Sequence, residues 1–154
     1  MSGAAERLAA LGLTLPPVAP PVAAYVPAVR TGTYVYTSGQ LPTVNGKLPA
    51  VGKVGDEVSA QDAAGMARTC ALNALAAAAS VTGGLEGIRR IVKVVGFVAS
   101  APGFGGQAQV INGASELLIE VFGEEGKHAR SAVGVAELPL NAPVEVELIA
   151  EVRD

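Results

Sequence analysis

The chain has 154 residues, half of them hydrophobic and 16% charged, with a formal net charge of -3. That size and balance suit one folded domain and exclude a disordered chain. With no basic stripe, nucleic acid is disfavoured as a partner, and one histidine with one cysteine cannot build a zinc site of the usual kind.

The N-terminal residues lack the basic start and continuous apolar run of a signal peptide. The Ala-rich run near residue 71 is flanked by Arg68 and interrupted by Asn73, so no membrane helix is expected. The lone Cys70 excludes an internal disulfide and fits a reducing compartment. Together these readings predict a soluble, cytoplasmic protein.

In chain order, residues 5–12 predict a short helix with Leu8 and Leu11 on one side and Gly12 at its end. Pro16, Pro17, Pro20 and Pro21 then forbid a helix and favour a stiff extended strap. Residues 1–24 thus read as a helix and strap preceding the main domain, 25–154. Tyr25–Thr31 and Thr33–Ser38 predict two strands turning at Gly32. Gly39, at a strand end, permits close approach of a backbone or a ligand. Asn45-Gly46 signals a turn, and 47–54 holds at most a short strand.

Ser59, with Asp62 three residues on, opens a long helix running to about Val81. It is apolar almost all round, so it is buried on more than one side, with Arg68 and Asn73 read as a wet edge. Ile88–Ala99 reads as a central strand and Gln107–Phe122 as a second helix, capped by Gly123. The glycines of the intervening loop, Pro102–Gly106, read as flexibility and not as a phosphate cradle.

Arg130–Glu137 and Val144–Val152 read as strands; the second alternates Val144, Val146, Leu148, Ala150 and Val152 against a wetter face. The Pro-rich link between them predicts an antiparallel hairpin. The expected fold class is α+β, a mixed sheet with two helices packed on one face. The other face would then need cover, most simply from further copies of the chain.

Taken as bare residues, the chemistry is thin. His128 follows a Glu-Glu-Gly turn and reads as solvated, while Cys70 reads as an inert core thiol. Arg130 reads as a surface residue at a strand start, and Glu145 as a strand residue facing water.

The stretch HARSAVGVAELPLNAPVEVELIAEV, from His128 to Val152, closely resembles the C-terminal signature of the Rid family. These are the YjgF-type reactive intermediate deaminases, also labelled endoribonuclease L-PSP. YTSGQLP at Tyr36–Pro42, Tyr25, Gly96–Ala99 and Val110-Ile111-Asn112 match further family positions in order. The motifs span residues 25–152.

The resemblance implies a chorismate-mutase-like domain forming homotrimers, needing neither metal nor cofactor. It implies hydrolysis of small 2-imino or enamine acids. Arg130 would grip the substrate carboxylate and Glu145 would activate water, as catalytic residues. Tyr25 and Asn112 would line the pocket, and the backbone at Gly39 and Ala132 would bond the reacting end. Ala132 stands where many deaminating members carry cysteine, and Val26 also departs from the common pattern, which marks a divergent branch. A plain hairpin would set Arg130 roughly 20 Å from Glu145, so the site would be shared between chains. Two rival readings stand beside this one: a trimer that binds a small carboxylate metabolite without turnover, and a ribonuclease.

Overall fold

The structure, a computed structural model, describes residues 2–21 and 23–154. Helix α1 (Ala4–Ala10) is short and is held by Leu8, 3% exposed, which enters the core. The described residues of the strap that follows have no regular structure, as its prolines require. Leu13, Leu15 and Val18 pack it against the core.

Strands β1 (Ala28–Thr31) and β2 (Tyr34–Thr37) form the expected antiparallel hairpin, turning at Gly32 with φ +58°. The first strand starts later than its sequence suggests, so Tyr25 lies in the bend before it. No strand forms over 47–54. Val44 bridges Lys47 around the Asn45-Gly46 turn, and Val54 bridges Val58 and Ser100.

Helix α2 (Ala60–Ala79) starts where Ser59 caps it, the Asp62 N–H donating to Ser59 Oγ at 3.1 Å. Strand β3 (Ile88–Ala99) and helix α3 (Gln107–Phe122) follow, with Gly123 closing α3 at φ +63°. Strands β4 (Ala129–Val135) and β5 (Val144–Val152) complete the chain.

The sheet order is β1-β2-β5-β3-β4, with β3 and β4 parallel and the other pairs antiparallel. The expected β4–β5 hairpin does not form, because β3 lies between those strands. The link Ala136–Pro143 steps over the end of β3, where Ala99 N–H donates to Pro143 O at 2.9 Å. The alternation of β5 favours this outcome. Its Val144, Val146, Leu148, Ala150 and Val152 are all buried, and a strand with so apolar a face is best used inside the sheet, bonded on both edges. The centre of the sheet is therefore β5, with β3 beside it.

Helices α2 and α3 pack together on one face of the sheet, as expected. Alanines over much of the α2 surface let it approach closely, and Gly113 of α3 sits against the Ala64 carbonyl of α2 with no room for a Cβ. Leu75, Ile111, Leu117 and Leu118 fill the layer between, each contributing roughly 1.5–3 kcal/mol by burial. Asn73 is not a wet edge. It is 6% exposed, and its Nδ2 donates to the carbonyls of Leu41 and Thr43 at 3.0 and 3.1 Å, fixing the segment after Gly39.

Among the described residues, nothing covers the opposite sheet face. Val29, Tyr34, Tyr36 and Val133 lie there between 42% and 50% exposed. Among the described residues, no helix is long and apolar enough to cross a membrane.

A candidate active site in two halves

Arg130 stands on β4, level with Val94 of β3 and Leu148 of β5, whose side chains enter the helix-side core. Directly opposed residues share a face, so Arg130 also points to the helix side, under α3. There Nη1 donates to Asn112 Oδ1 at 2.8 Å and Ser115 Oγ at 3.2 Å, and Nη2 donates to the Ala108 carbonyl at 3.2 Å. Ala108, Asn112 and Ser115 fall at i, i+4 and i+7, one face of the helix.

All three acceptors are neutral, and among the described residues Arg130 forms no ion pair. Of its five N–H donors, the Nε–H and one Nη2–H have no acceptor among the described residues. Nε and Nη2 are the pair of guanidinium nitrogens that can take a carboxylate side-on. The guanidinium is half-buried and fixed in place, so it is not the loose surface arginine that its position in the sequence suggests. Ala132, two residues on, shares its face, half-buried against the core.

Behind the guanidinium lies a further pair. Ser115 Oγ is 2.9 Å from His128 Nε2, and His128 Nδ1 is 2.6 Å from the Gly126 carbonyl. A carbonyl only accepts, so Nδ1 carries the proton and neutral Nε2 accepts from the serine hydroxyl. That hydroxyl oxygen in turn accepts from Arg130. Burial lowers the His128 pKa, the Gly126 bond opposes this, and Arg130 lowers it further, consistent with a neutral ring. His128 is therefore half-buried and bonded, which corrects its reading as a solvated turn residue. The sequence marks Ser115 only weakly. The signal was its spacing from Asn112 on the amphipathic face of α3.

The second half surrounds Glu145. It is level with Phe97 and Val133, on the uncovered face of the sheet. Its side chain is half-buried, and its carboxylate takes no hydrogen bond or ion pair among the described residues. It lies against Gly39, where any Cβ would collide with it. Here the close approach expected of Gly39 is made by a side chain of the same chain. Burial raises the Glu145 pKa above the usual 4.5, and the neighbouring Glu147 adds to the rise.

Gln40 holds this corner, its N–H donating to Val146 O at 2.8 Å and its carbonyl accepting from Val146 N–H at 3.1 Å. Tyr25 and Gly39 line a common pocket with the strap and Leu140. Cys70 is fully buried in α2, and burial pushes its thiol pKa well up, so it is an inert core group.

Six residues were singled out from sequence. Arg130, Asn112 and Ala132 assemble beside α3, whereas Glu145, Gly39 and Tyr25 gather around the loop after β2. Within one chain the two groups stay apart. Arg130 and Glu145 are three residues out of register, two strands apart and on opposite faces. Their backbones are roughly 14 Å apart, which replaces the hairpin-based figure of about 20 Å.

The description "YjgF/chorismate_mutase-like, putative endoribonuclease" fits residues 5–152, a wider span than the motifs, which begin at Tyr25. The Trypanosoma cruzi protein TCP17 is 41% identical over 151 residues, covering 97% of this chain and 94% of its own. The crystal structure of Atu1372 from Agrobacterium tumefaciens superposes with a TM-score of 0.89 at 48% identity, covering 97% of this chain and 92% of that one. Escherichia coli TdcF, crystallised with bound serine, gives a TM-score of 0.59 at 29% identity over 91% of this chain and 94% of its own. With its sheet order, its two helices on one face and this span of similarity, the chain belongs to the YjgF/chorismate-mutase-like family.

Proposed function

We propose that this protein hydrolyses small 2-imino or enamine acids to 2-oxo acids and ammonia, at sites shared between the chains of a homotrimer. The observation that carries this reading is the Arg130 guanidinium: half-buried, held by three neutral acceptors, with an unused N–H fork. A fixed cation with no acidic partner binds an anion, and a planar fork suits a carboxylate better than an ammonium group would. The serine bound to TdcF carries such a carboxylate.

In this scheme Arg130, with Asn112 at its side, fixes the carboxylate of a protonated imino acid. Ala132 and Gly39 offer main-chain groups to the reacting end, and Tyr25 borders the cavity. Glu145 takes a proton from water as the water oxygen bonds to the imine carbon. The same carboxyl returns that proton to nitrogen and then takes the hydroxyl proton as the C–N bond breaks, so ammonia leaves and the carbonyl forms. The imine carbon is already electrophilic when protonated, so the scheme needs no metal or cofactor.

The separation of the two groups in one chain supports a shared site. The uncovered face of the sheet, where exposed Val29, Tyr34, Tyr36 and Val133 lie among Glu145, Glu147 and Lys93, offers a surface for neighbouring copies.

Freshly generated 2-iminobutanoate provides the test. The wild type should accelerate ammonia release, and Glu145→Gln should lose about 10²- to 10⁴-fold while still binding 2-oxobutanoate. A second reading, binding without turnover, is favoured by the ligand of TdcF, an amino acid and not an imine. No acceleration by the wild type, with 2-oxobutanoate still bound, would establish that second reading.

A further inference from the structure

We propose that the pocket walled by the proline strap receives a large apolar substrate side chain, about leucine- to phenylalanine-sized. This rests on the hydrolase reading above and narrows its substrate class.

The pocket holds about 210 Å³ and is lined by Pro20, Pro21, Tyr25, Gly39, Leu41 and Leu140, among others. None of its described lining residues is charged. Gly39 belongs to this wall and also touches the Glu145 carboxylate. A molecule whose reacting carbon sits at Glu145 therefore has its substituent within reach of the pocket.

Size and chemistry choose the occupant. An apolar cavity of about 150 Å³ already takes benzene, so this one has room for an isobutyl or benzyl group. A methyl group would leave most of it empty, and a carboxylate would meet no cation among the described lining residues, whose polar side chains are the neutral Tyr25, Gln40 and Thr43. The two prolines make a wall with fixed φ and no N–H to satisfy. Leu140 stands at the rim, 67% exposed, at φ +58°, a left-handed conformation unusual for leucine. Such strain collects at ligand clamps, and an apolar ligand would take this side chain out of water.

The test uses imines generated in place by an amino acid oxidase from alanine, leucine, phenylalanine and glutamate. Added methylenes in an apolar pocket discriminate by about 10- to 200-fold. The wild type should therefore show kcat/KM at least about tenfold higher for the leucine and phenylalanine imines than for the alanine imine, with the glutamate imine lowest. Ala19 also lines the pocket and is only half-buried, so Ala19→Phe should fill it without unfolding the chain. That variant should lose about tenfold on the leucine imine and stay within about twofold on the alanine imine.

Calorimetric binding of 4-methyl-2-oxopentanoate against pyruvate supplies a readout independent of turnover. At least tenfold tighter binding of the larger acid is expected. Equal or weaker binding overturns the pocket assignment, as does a flat order of imine rates. Failure to hydrolyse any imine, with the binding order intact, overturns the reaction and leaves the pocket standing.

Discussion

Arg130 and Glu145 lie on opposite faces of one sheet, two strands and three residues apart. Arg130 reaches under α3 and Glu145 faces the bare side. Each is a half-buried charge with no opposite charge against it among the described residues. In the proposed chemistry these two groups are halves of one site, brought together by a second chain.

The arginine half depends on geometry as well as charge. Arg130→Lys keeps the cation but loses the fork, so KM should rise about 10- to 100-fold with a smaller change in kcat. Ser115→Ala removes one acceptor from Nη1, and KM should rise about 3- to 10-fold. Steady-state kinetics with 2-iminobutanoate checks both. Unchanged KM in both variants would remove Arg130 from substrate binding.

Gly39→Ala separates activity from stability. Its new Cβ would strike the Glu145 carboxylate, the movable end of a flexible side chain. Gly39 does not have a positive φ, so its backbone tolerates alanine. Stability should change by less than about 1 kcal/mol, while kcat falls at least about tenfold as the carboxylate is displaced. Urea unfolding beside kcat measures the two effects.

Burial, with help from Glu147, raises the Glu145 pKa, which sets the sign of two pH effects. Proton abstraction needs the carboxylate, so kcat/KM should rise with pH along a limb lying above 4.5, the usual value. Glu147→Gln should move that limb down. For stability, a raised folded-state pKa gives a contribution present below the unfolded pKa and lost as pH rises through the folded one. Glu145→Gln should therefore raise Tm at pH 7.5 by about 1–3 °C, with the gain disappearing in acid. Thermal scans across pH would show this. A lower Tm for the variant at pH 7.5 would contradict the assigned burial cost.

The contact between α2 and α3 gives a prediction about the fold alone. A Cβ at Gly113 would collide with the Ala64 carbonyl, a backbone atom in a packed helix. Gly113→Ala should therefore destabilise the protein by about 1–3 kcal/mol, despite alanine's better helix propensity. Chemical denaturation reads it directly, and a stabilised variant would contradict the close packing.

Much of this fold was legible because periodicity and caps are local signals. The bounds of β3, α3 and β5 follow from apolar spacing, and Ser59 marks the start of α2. Pairing was less legible. The short link after β4 reads as a hairpin, and nothing local says that β3 will separate the two strands. Burial of polar groups was hidden for the same reason. Asn73 is buried by carbonyls some thirty residues away in sequence, and His128 is held by a serine on α3. Arg130 and Glu145 stood out only through resemblance. As single residues in strands, they look like ordinary surface charges.

In the proposed trimer each site takes its arginine from one chain and its glutamate from another. Arg130→Ala and Glu145→Gln proteins should each be nearly inactive alone. Unfolded together in equal amounts and refolded, they should recover about a quarter of wild-type imine hydrolysis, the share of sites that receive both intact groups by random assembly. If the mixture stays as inactive as its parents while mixed oligomers are present, the two residues do not work across chains.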